Sequence, residues 1–252
     1  MRSREDAREA IATGQVTVAG APADKPARMV GPDEPIALAG PPPRFVGRAG
    51  HKLDAALDGF DVDVAGRRVL DAGASTGGFT DCLLQRGARE VVAVDVGYGQ
   101  RHERLRHDPR VVVRDRTNVR YLTADDVGGG VDLVCVDLSF ISVRTALPAL
   151  WGLLGPGAEA ILLVKPQFEA GRHEAARGRG VIRDPDVWRR VLEEVRGAAA
   201  TLGGAMMGAM VSPITGADGN VEFLVHLQPG DPSDGGVDLD ATVAEAVAVH
   251  GS

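Results

Sequence analysis

Only two cysteines, Cys82 and Cys135, occur in 252 residues, and neither has a second thiol or a histidine at ligand spacing. A disulfide framework and a Cys/His metal centre are therefore not expected, and the six scattered histidines suggest no metal cluster of their own. No apolar run approaches the roughly 20 residues needed to cross a bilayer. The opening Met1-Arg2-Ser3-Arg4-Glu5-Asp6 is too polar for a secretory signal. A soluble, cytoplasmic protein with its thiols buried and reduced is expected. Also missing are a Ser-His-Asp arrangement and a positioned cysteine nucleophile. The net charge of −7 weighs against nucleic acid at first sight, yet residues 231–252 hold five acids and no Lys or Arg. The remaining residues carry only −2, so the distribution of charge matters more than its sum.

What is present is organised around Val69-Leu70-Asp71-Ala72-Gly73-Ala74-Ser75-Thr76-Gly77-Gly78-Phe79-Thr80. An apolar run ends in an acid, a glycine-rich turn follows, and an amphipathic segment leads away. This is the strand–loop–helix entry of a doubly wound α/β nucleotide-binding unit. Gly73, Gly77 and Gly78 allow a tight turn and close approach to a ligand. Val91-Val92-Ala93-Val94 ends in Asp95, about 20 residues after the loop, where an acid binding ribose hydroxyls sits in such folds. No Lys-Ser/Thr pair follows the glycines, which argues against a phosphate-gripping loop. The acidic start suits a cationic nucleoside, a description that S-adenosylmethionine fits. Asp115-Arg116-Thr117-Asn118 ends a third strand, Val111-Val112-Val113, where adenine-contacting groups belong.

Residues 3–13 read as a short helix capped by Ser3 with Asp6, followed by the strands Val16-Thr17-Val18 and Ile36-Ala37-Leu38. Arg2, Arg4, Arg8, Lys25 and Arg28 weakly favour an RNA-binding role for this stretch. Gly40-Pro41-Pro42-Pro43 is a stiff linker, so residues 1–43 and 44–230 are expected to be separate domains. Arg48, His51 and Lys52 lie within about one helical turn, by default a solvated basic face. Between 101 and 120, seven arginines (Arg101, Arg104, Arg106, Arg110, Arg114, Arg116, Arg120) meet three acids. The run reads equally as a solvated face or as a track for a phosphate backbone. Pro148 predicts a kink or a helix start. Residues 170–180 read as a mobile basic lid, and Met206 to Val211 with Val221 to Leu227 as a closing hairpin. The acidic tail, 231–252, is expected to lack fixed structure apart from a short helix at 240–249.

Lys52, Asp137, Lys165 and Glu222 are all placed at strand ends or on the helix before the sheet. Two lysines and two carboxylates could be a structural ion-pair cluster or an acid–base site. Methyl transfer to an alcohol needs a base for the hydroxyl proton, and a desolvated lysine beside another cation can serve.

The chain resembles the TlyA-type (haemolysin A) rRNA (cytidine-2'-O)-methyltransferases, within the wider Lys-Asp-Lys-Glu ribose methyltransferases. The resemblance is carried by Arg48-Ala49-Gly50-His51-Lys52-Leu53, Asp71 to Thr80, Asp95-Val96-Gly97-Tyr98-Gly99-Gln100, Asp115-Arg116-Thr117-Asn118, Asp137-Leu138-Ser139-Phe140-Ile141-Ser142, Val164-Lys165-Pro166-Gln167-Phe168-Glu169 and Gly219-Asn220-Val221-Glu222. It implies a Rossmann-like S-adenosylmethionine-dependent methyltransferase acting on a cytidine ribose in ribosomal RNA of the small and large subunits. Lys52, Asp137, Lys165 and Glu222 are then catalytic, with Lys165 central. Asp71, Gly73, Ala74, Ser75, Thr76, Gly77, Asp95, Val96, Arg116, Asn118, Asp137 and Phe140 would hold the cofactor. Two departures from the pattern stand out. The chain starts inside the RNA-binding module, of the type in ribosomal protein S-four, and lacks its first helix, so a truncated module is expected. The linker reads Pro43-Arg44-Phe45-Val46 where many members carry Arg-x-Trp-Val. Rival readings are a small-molecule O-methyltransferase without an RNA platform, a membrane-active haemolysin, and a binding-only paralogue. The haemolysin would need a cationic amphipathic or membrane-spanning helix, and neither is present in the sequence.

Overall fold

The computed structural model describes residues 7–8, 10–11, 14–23, 25–39, 43–171, 174, 178–216 and 218–250. The chain forms two compact units, Met1–Arg48 and Ala49–Ser252. In the first, β1 (Val16–Val18) pairs antiparallel with β2 (Ala21–Pro22) on one side and β3 (Ile36–Leu38) on the other. Val16, Val18, Ala10 and Ala23 form its small core. Most of the helix expected over 3–13, including Ser3 and Asp6, lies outside the described residues, as do Arg2, Arg4 and Gly40-Pro41-Pro42.

In the second unit the helices are α1 (Ala49–Gly59), α2 (Gly78–Gln85), α3 (Glu103–Arg106), α4 (Ala124–Val127), α5 (Val143–Trp151), α6 (Pro166–Glu169), α7 (Pro185–Thr201) and α8 (Leu239–His250). The strands are β4 (Arg68–Ala72), β5 (Glu90–Val94), β6 (Val111–Arg114), β7 (Val131–Val136), β8 (Leu154–Val164), β9 (Gly204–Val211) and β10 (Phe223–Pro229). They form one sheet in the order β6-β5-β4-β7-β8-β10-β9. The first five strands are parallel, and β10 runs antiparallel to both β8 and β9. Winding goes outward from β4 through β5 to β6, then returns to start again at β7. That reversal opens a crevice at the carboxyl ends of β4 and β7.

Burial explains why the central strands read as unbroken apolar runs: Leu70, Val92, Val134, Val136 and Leu162 are all in the core. The start of α7 is set by Asp184, which accepts a hydrogen bond from Asp186 N, and by Pro185 in the first turn. Its stripe Trp188, Val191, Leu192, Val195 and Ala199 is buried. Helix α5 starts at Val143 behind the Ser142 cap, so Pro148 falls inside it and does not begin it.

The acidic tail carries the helix expected at 240–249, but, contrary to the expected lack of fixed structure, that helix is packed. It is the 12-residue α8, whose Leu239, Val243 and Ala246 join the main core. These residues recur every three to four positions, which puts them on one face and leaves Asp240 and Glu245 outward. The acids set the composition of the tail, while the apolar spacing set its structure.

Candidate active site

Asp137 and Lys165 each follow the last residue of a buried parallel strand, β7 and β8, and Glu222 precedes the first residue of β10. The Asp137 amide donates to Ala72 O at 2.9 Å, which draws it against the end of β4. Phe223 lies opposite Val164 across the antiparallel ladder, so Glu222 and Lys165 emerge side by side. Lys52 comes from α1. Its ammonium pairs with Glu222 Oε2, while Lys165 Nζ lies 2.6 Å from Asp137 Oδ1 and donates to Ser139 Oγ at 3.2 Å. The Lys165–Asp137 contact is an ion pair without hydrogen-bond alignment, since Oδ1 of Asp137 takes no hydrogen bond among the described residues.

All four side chains are largely withdrawn from solvent, and Glu222 retains only 3% exposure. Burying four charges is tolerable because they neutralise in two pairs. Lys52 is buried in the site and does not share the solvated basic face that is the default for residues 48–52. Gly216 seats the second pair: a Cβ there would stand 2.6 Å from Glu222 Oε1.

Next to Lys165, the Phe168 ring centroid is 5.9 Å from Nζ, and Phe140 packs on Phe168 at 5.4 Å. Phe140 adopts φ +66° and is 92% exposed, an unusual state for an aromatic residue, which presents its ring to the crevice end of β7.

On the other side of the crevice, Gly73 turns at φ +93° and Gly77 at φ +103° before α2. Asp95 accepts from Ser75 N at 2.8 Å through Oδ2 and from Gly97 N at 2.7 Å through Oδ1, tying the two glycine loops together. Val96 is exposed beside it, Ala74 is buried, and Thr76 O accepts from His102 N. Asn118 caps the short turn Val119–Tyr121 by accepting from Arg120 N. Asp71 is wholly buried beneath the loop and does not line the open crevice; its Oδ2 accepts from Thr80 Oγ1 at 2.6 Å. Burial, with the nearby Asp137 charge, outweighs the Thr80 hydrogen bond and Arg101 and raises its pKa to about 7.

The arginine run is not one surface. Arg101 is buried, pairs with Asp115 and donates to Ala93 O. Arg104 grips both oxygens of Asp81, Arg110 pairs with Asp108, and Arg114 donates to Asp126 O. Arg116 and Arg120 instead lie over the exposed rings of Tyr98 and Tyr121, at 4.3 and 5.5 Å. Residues 101–120 therefore do not form one exposed face, and Arg116 and Arg120 form two arginine–tyrosine stacks. Within the expected lid, residues 172, 173 and 175–177 lie outside the described residues.

Two supporting residues escaped the sequence reading. Glu169, buried, accepts from Val143 N at 2.6 Å and from Ser142 and Arg144, which locks the Lys165 segment to the start of α5. Asn220 donates to Gly180 O and accepts from Ile182 N, fixing the backbone beside Glu222. The only sequence signal for either was its place within the resembling motifs. Among the described residues, no helix is long and apolar enough to cross a membrane, and no three His, Cys, Asp or Glu side chains are grouped as metal ligands.

The FtsJ-like methyltransferase family model matches residues 45–229. The Mycobacterium tuberculosis 16S/23S rRNA (cytidine-2'-O)-methyltransferase TlyA is 50% identical over 228 residues, which is 90% of this chain and 85% of the relative. Hemolysin A of Brachyspira hyodysenteriae is 36% identical over 225 residues, 89% of this chain and 93% of the relative. A solved candidate hemolysin from Streptococcus thermophilus superposes with a TM-score of 0.80 at 38% identity, covering 98% of this chain and 91% of that one.

Proposed function

The chain belongs to the FtsJ-like methyltransferases, and on that premise we propose that it methylates the ribose 2'-hydroxyl of a cytidine in ribosomal RNA with S-adenosylmethionine as donor. The observation that carries this reading is the pair of buried ion pairs, Lys165–Asp137 and Lys52–Glu222, at the crevice end of the sheet beside the Gly73 turn.

The residues suit such a donor. The Gly73 turn packs so tightly on the Asp137 carbonyl that a side chain there would collide with it. Each Asp95 oxygen spends one lone pair on a backbone amide and keeps another for a ribose hydroxyl. Val96, Arg116 and Asn118 stand at the adenosine end, and Phe140 at the methyl-transfer end. When bound, S-adenosylmethionine supplies a methyl carbon activated by its sulfonium, so the leaving group needs no acid. Lys165 takes the 2'-hydroxyl proton at Nζ after its ammonium has passed a proton to solvent, while Asp137 and Ser139 orient that nitrogen. Lys52 and Glu222 hold the attacking oxygen in line.

Ribosomal RNA is the proposed partner. Arg116 on Tyr98 and Arg120 on Tyr121 offer flat cationic surfaces to bases and phosphates, and the target nucleotide swings out of its stack into the crevice. Residues 1–43 act as a small RNA-docking appendage.

The test is transfer of labelled methyl from S-adenosylmethionine to unmodified small and large ribosomal subunits, with Lys165→Ala as control. Alkali-resistant labelled ribose that vanishes in the variant supports the reading. Donor binding without labelled RNA would sink it and direct attention to a small-molecule acceptor.

A further inference from the structure

Asp71 is the acid the mechanism does not use. It belongs to β4, is 0% exposed, and satisfies only one of its two oxygens, through Thr80 Oγ1 from α2. Its Oδ1 has no hydrogen-bond partner among the described residues. The neighbouring carboxyl, Asp137, differs, because its Oδ1 lies 2.6 Å from the Lys165 ammonium. The two are joined through the backbone, since Asp137 N donates to Ala72 O and Asp71 lies opposite Cys135 in the parallel ladder. The Gly73 turn sits directly over this join: a Cβ on Gly73 would come 2.2 Å from Asp137 O.

The charged and titratable groups around Asp71 come from four elements. Thr80 faces it from α2, Cys135 and Asp137 from β7 and its end, Arg101 from the segment after β5, and Lys165 stands beyond Asp137 at the end of β8. Arg101 is already paired with Asp115, and Lys165 with Asp137. Among the described residues no unpaired cation is left over to balance an ionised Asp71, and an uncompensated carboxylate in such a place is costly.

We propose that Asp71 is a positioning residue that keeps a proton while the cofactor site is empty and releases it to solvent when the sulfonium donor binds. This rests on the S-adenosylmethionine reading above. The arriving cation supplies the missing counter-charge across the Gly73 turn, and the ionised carboxyl then favours the bound donor through its charge, without touching it. After transfer the sulfur is a neutral thioether, Asp71 takes a proton back from solvent, and the spent product is held less firmly than the donor. The elevated pKa of Asp71 agrees with this arrangement.

The experiment is calorimetric titration of S-adenosylmethionine and S-adenosylhomocysteine into the full chain between pH 5.5 and 7, in buffers of different ionisation heat. For the wild type, donor affinity should rise roughly tenfold over that range with release approaching one proton at the acid end, and the thioether should respond less. In Asp71→Asn both ligands should bind with no such pH dependence. As a readout without ligand, the folded wild type holds a proton that the unfolded chain loses above about pH 4. Its Tm should therefore fall as pH rises from about 4 to 7, and Asp71→Asn should lack that fall. If Asp71→Asn does not fold, Thr80→Val, which removes the hydrogen bond favouring the carboxylate, should move the donor-affinity midpoint to higher pH. Donor binding by the wild type that is independent of pH and releases no proton overturns the proposal. Failure of both ligands to bind at any pH overturns the donor reading itself.

Discussion

Gly73 and Asp137 meet backbone to backbone: a Cβ on Gly73 would lie 2.2 Å from the Asp137 carbonyl oxygen and 2.9 Å from its carbonyl carbon. The turn proposed to face the cofactor and the strand end that delivers Asp137 are therefore one packed unit. Gly73→Ala faces both that collision and a φ of +93° that an alanine resists. We expect a loss of about 2–4 kcal/mol in stability, together with loss of donor binding. Chemical denaturation and calorimetry on the same preparation check this; unchanged donor affinity would separate the turn from the cofactor.

Lys52 and Glu222 form a pair in which each group is buried and each neutralises the other. Lys52→Met alone, or Glu222→Leu alone, should cost about 3–5 kcal/mol, because each leaves an uncompensated charge inside. The double variant should recover much of that stability and still transfer no methyl. Urea unfolding of the three variants beside a methyl-transfer assay distinguishes this from a purely structural pair, whose double variant would remain active.

Arg120 lies over the exposed Tyr121 ring and away from the ion pairs that hold the arginine segment together. Arg120→Ala should weaken binding to ribosomal subunits and reduce the slope of log affinity against log salt by about 1. Its Tm should stay within about 0.5 kcal/mol equivalent of the wild type. A salt slope that does not change would show that Arg120 meets no phosphate.

Nearer the start of β8 than Lys165, Glu159 takes hydrogen bonds from His226, Arg67 and Gln228. Burial alone would raise its pKa, but those three donors outweigh burial and bring it down to about 2. A carboxylate whose folded pKa lies below the ordinary 4.5 contributes stability above that pH and loses it as pH falls toward 2. Glu159→Gln should accordingly be less stable than the wild type at neutral pH, with a gap that narrows from about pH 4.5 downward. Thermal melts over that range give the comparison; a gap that stayed constant with pH would contradict it.

Local chemistry made much of this protein legible in its sequence. Continuous apolar runs bounded by glycine or acid marked β4, β5, β7 and β8, since a strand buried on both faces has no polar positions to spare. The spacing from the glycine loop to Asp95 marked the cofactor side, because strand and helix lengths in a βαβ unit are set by the width of the sheet. The placement of Asp137 and Lys165 at strand ends was likewise visible, as each terminates an apolar run, whereas Glu222 stands before one.

Which charge meets which was decided only by the tertiary structure. Lys52 and Glu222 are 170 positions apart, and nothing local to either residue specifies the other. Arg101 and Arg120 look alike within one basic run, yet one is sealed against Asp115 and the other rests on an exposed ring. The acids of the tail suggested a solvated chain until α8 found an apolar face to cover. Composition and periodicity determine what a segment is able to bury. Which partners it is buried with depends on the order in which strands join the sheet, and that order exists only once the chain has closed on itself.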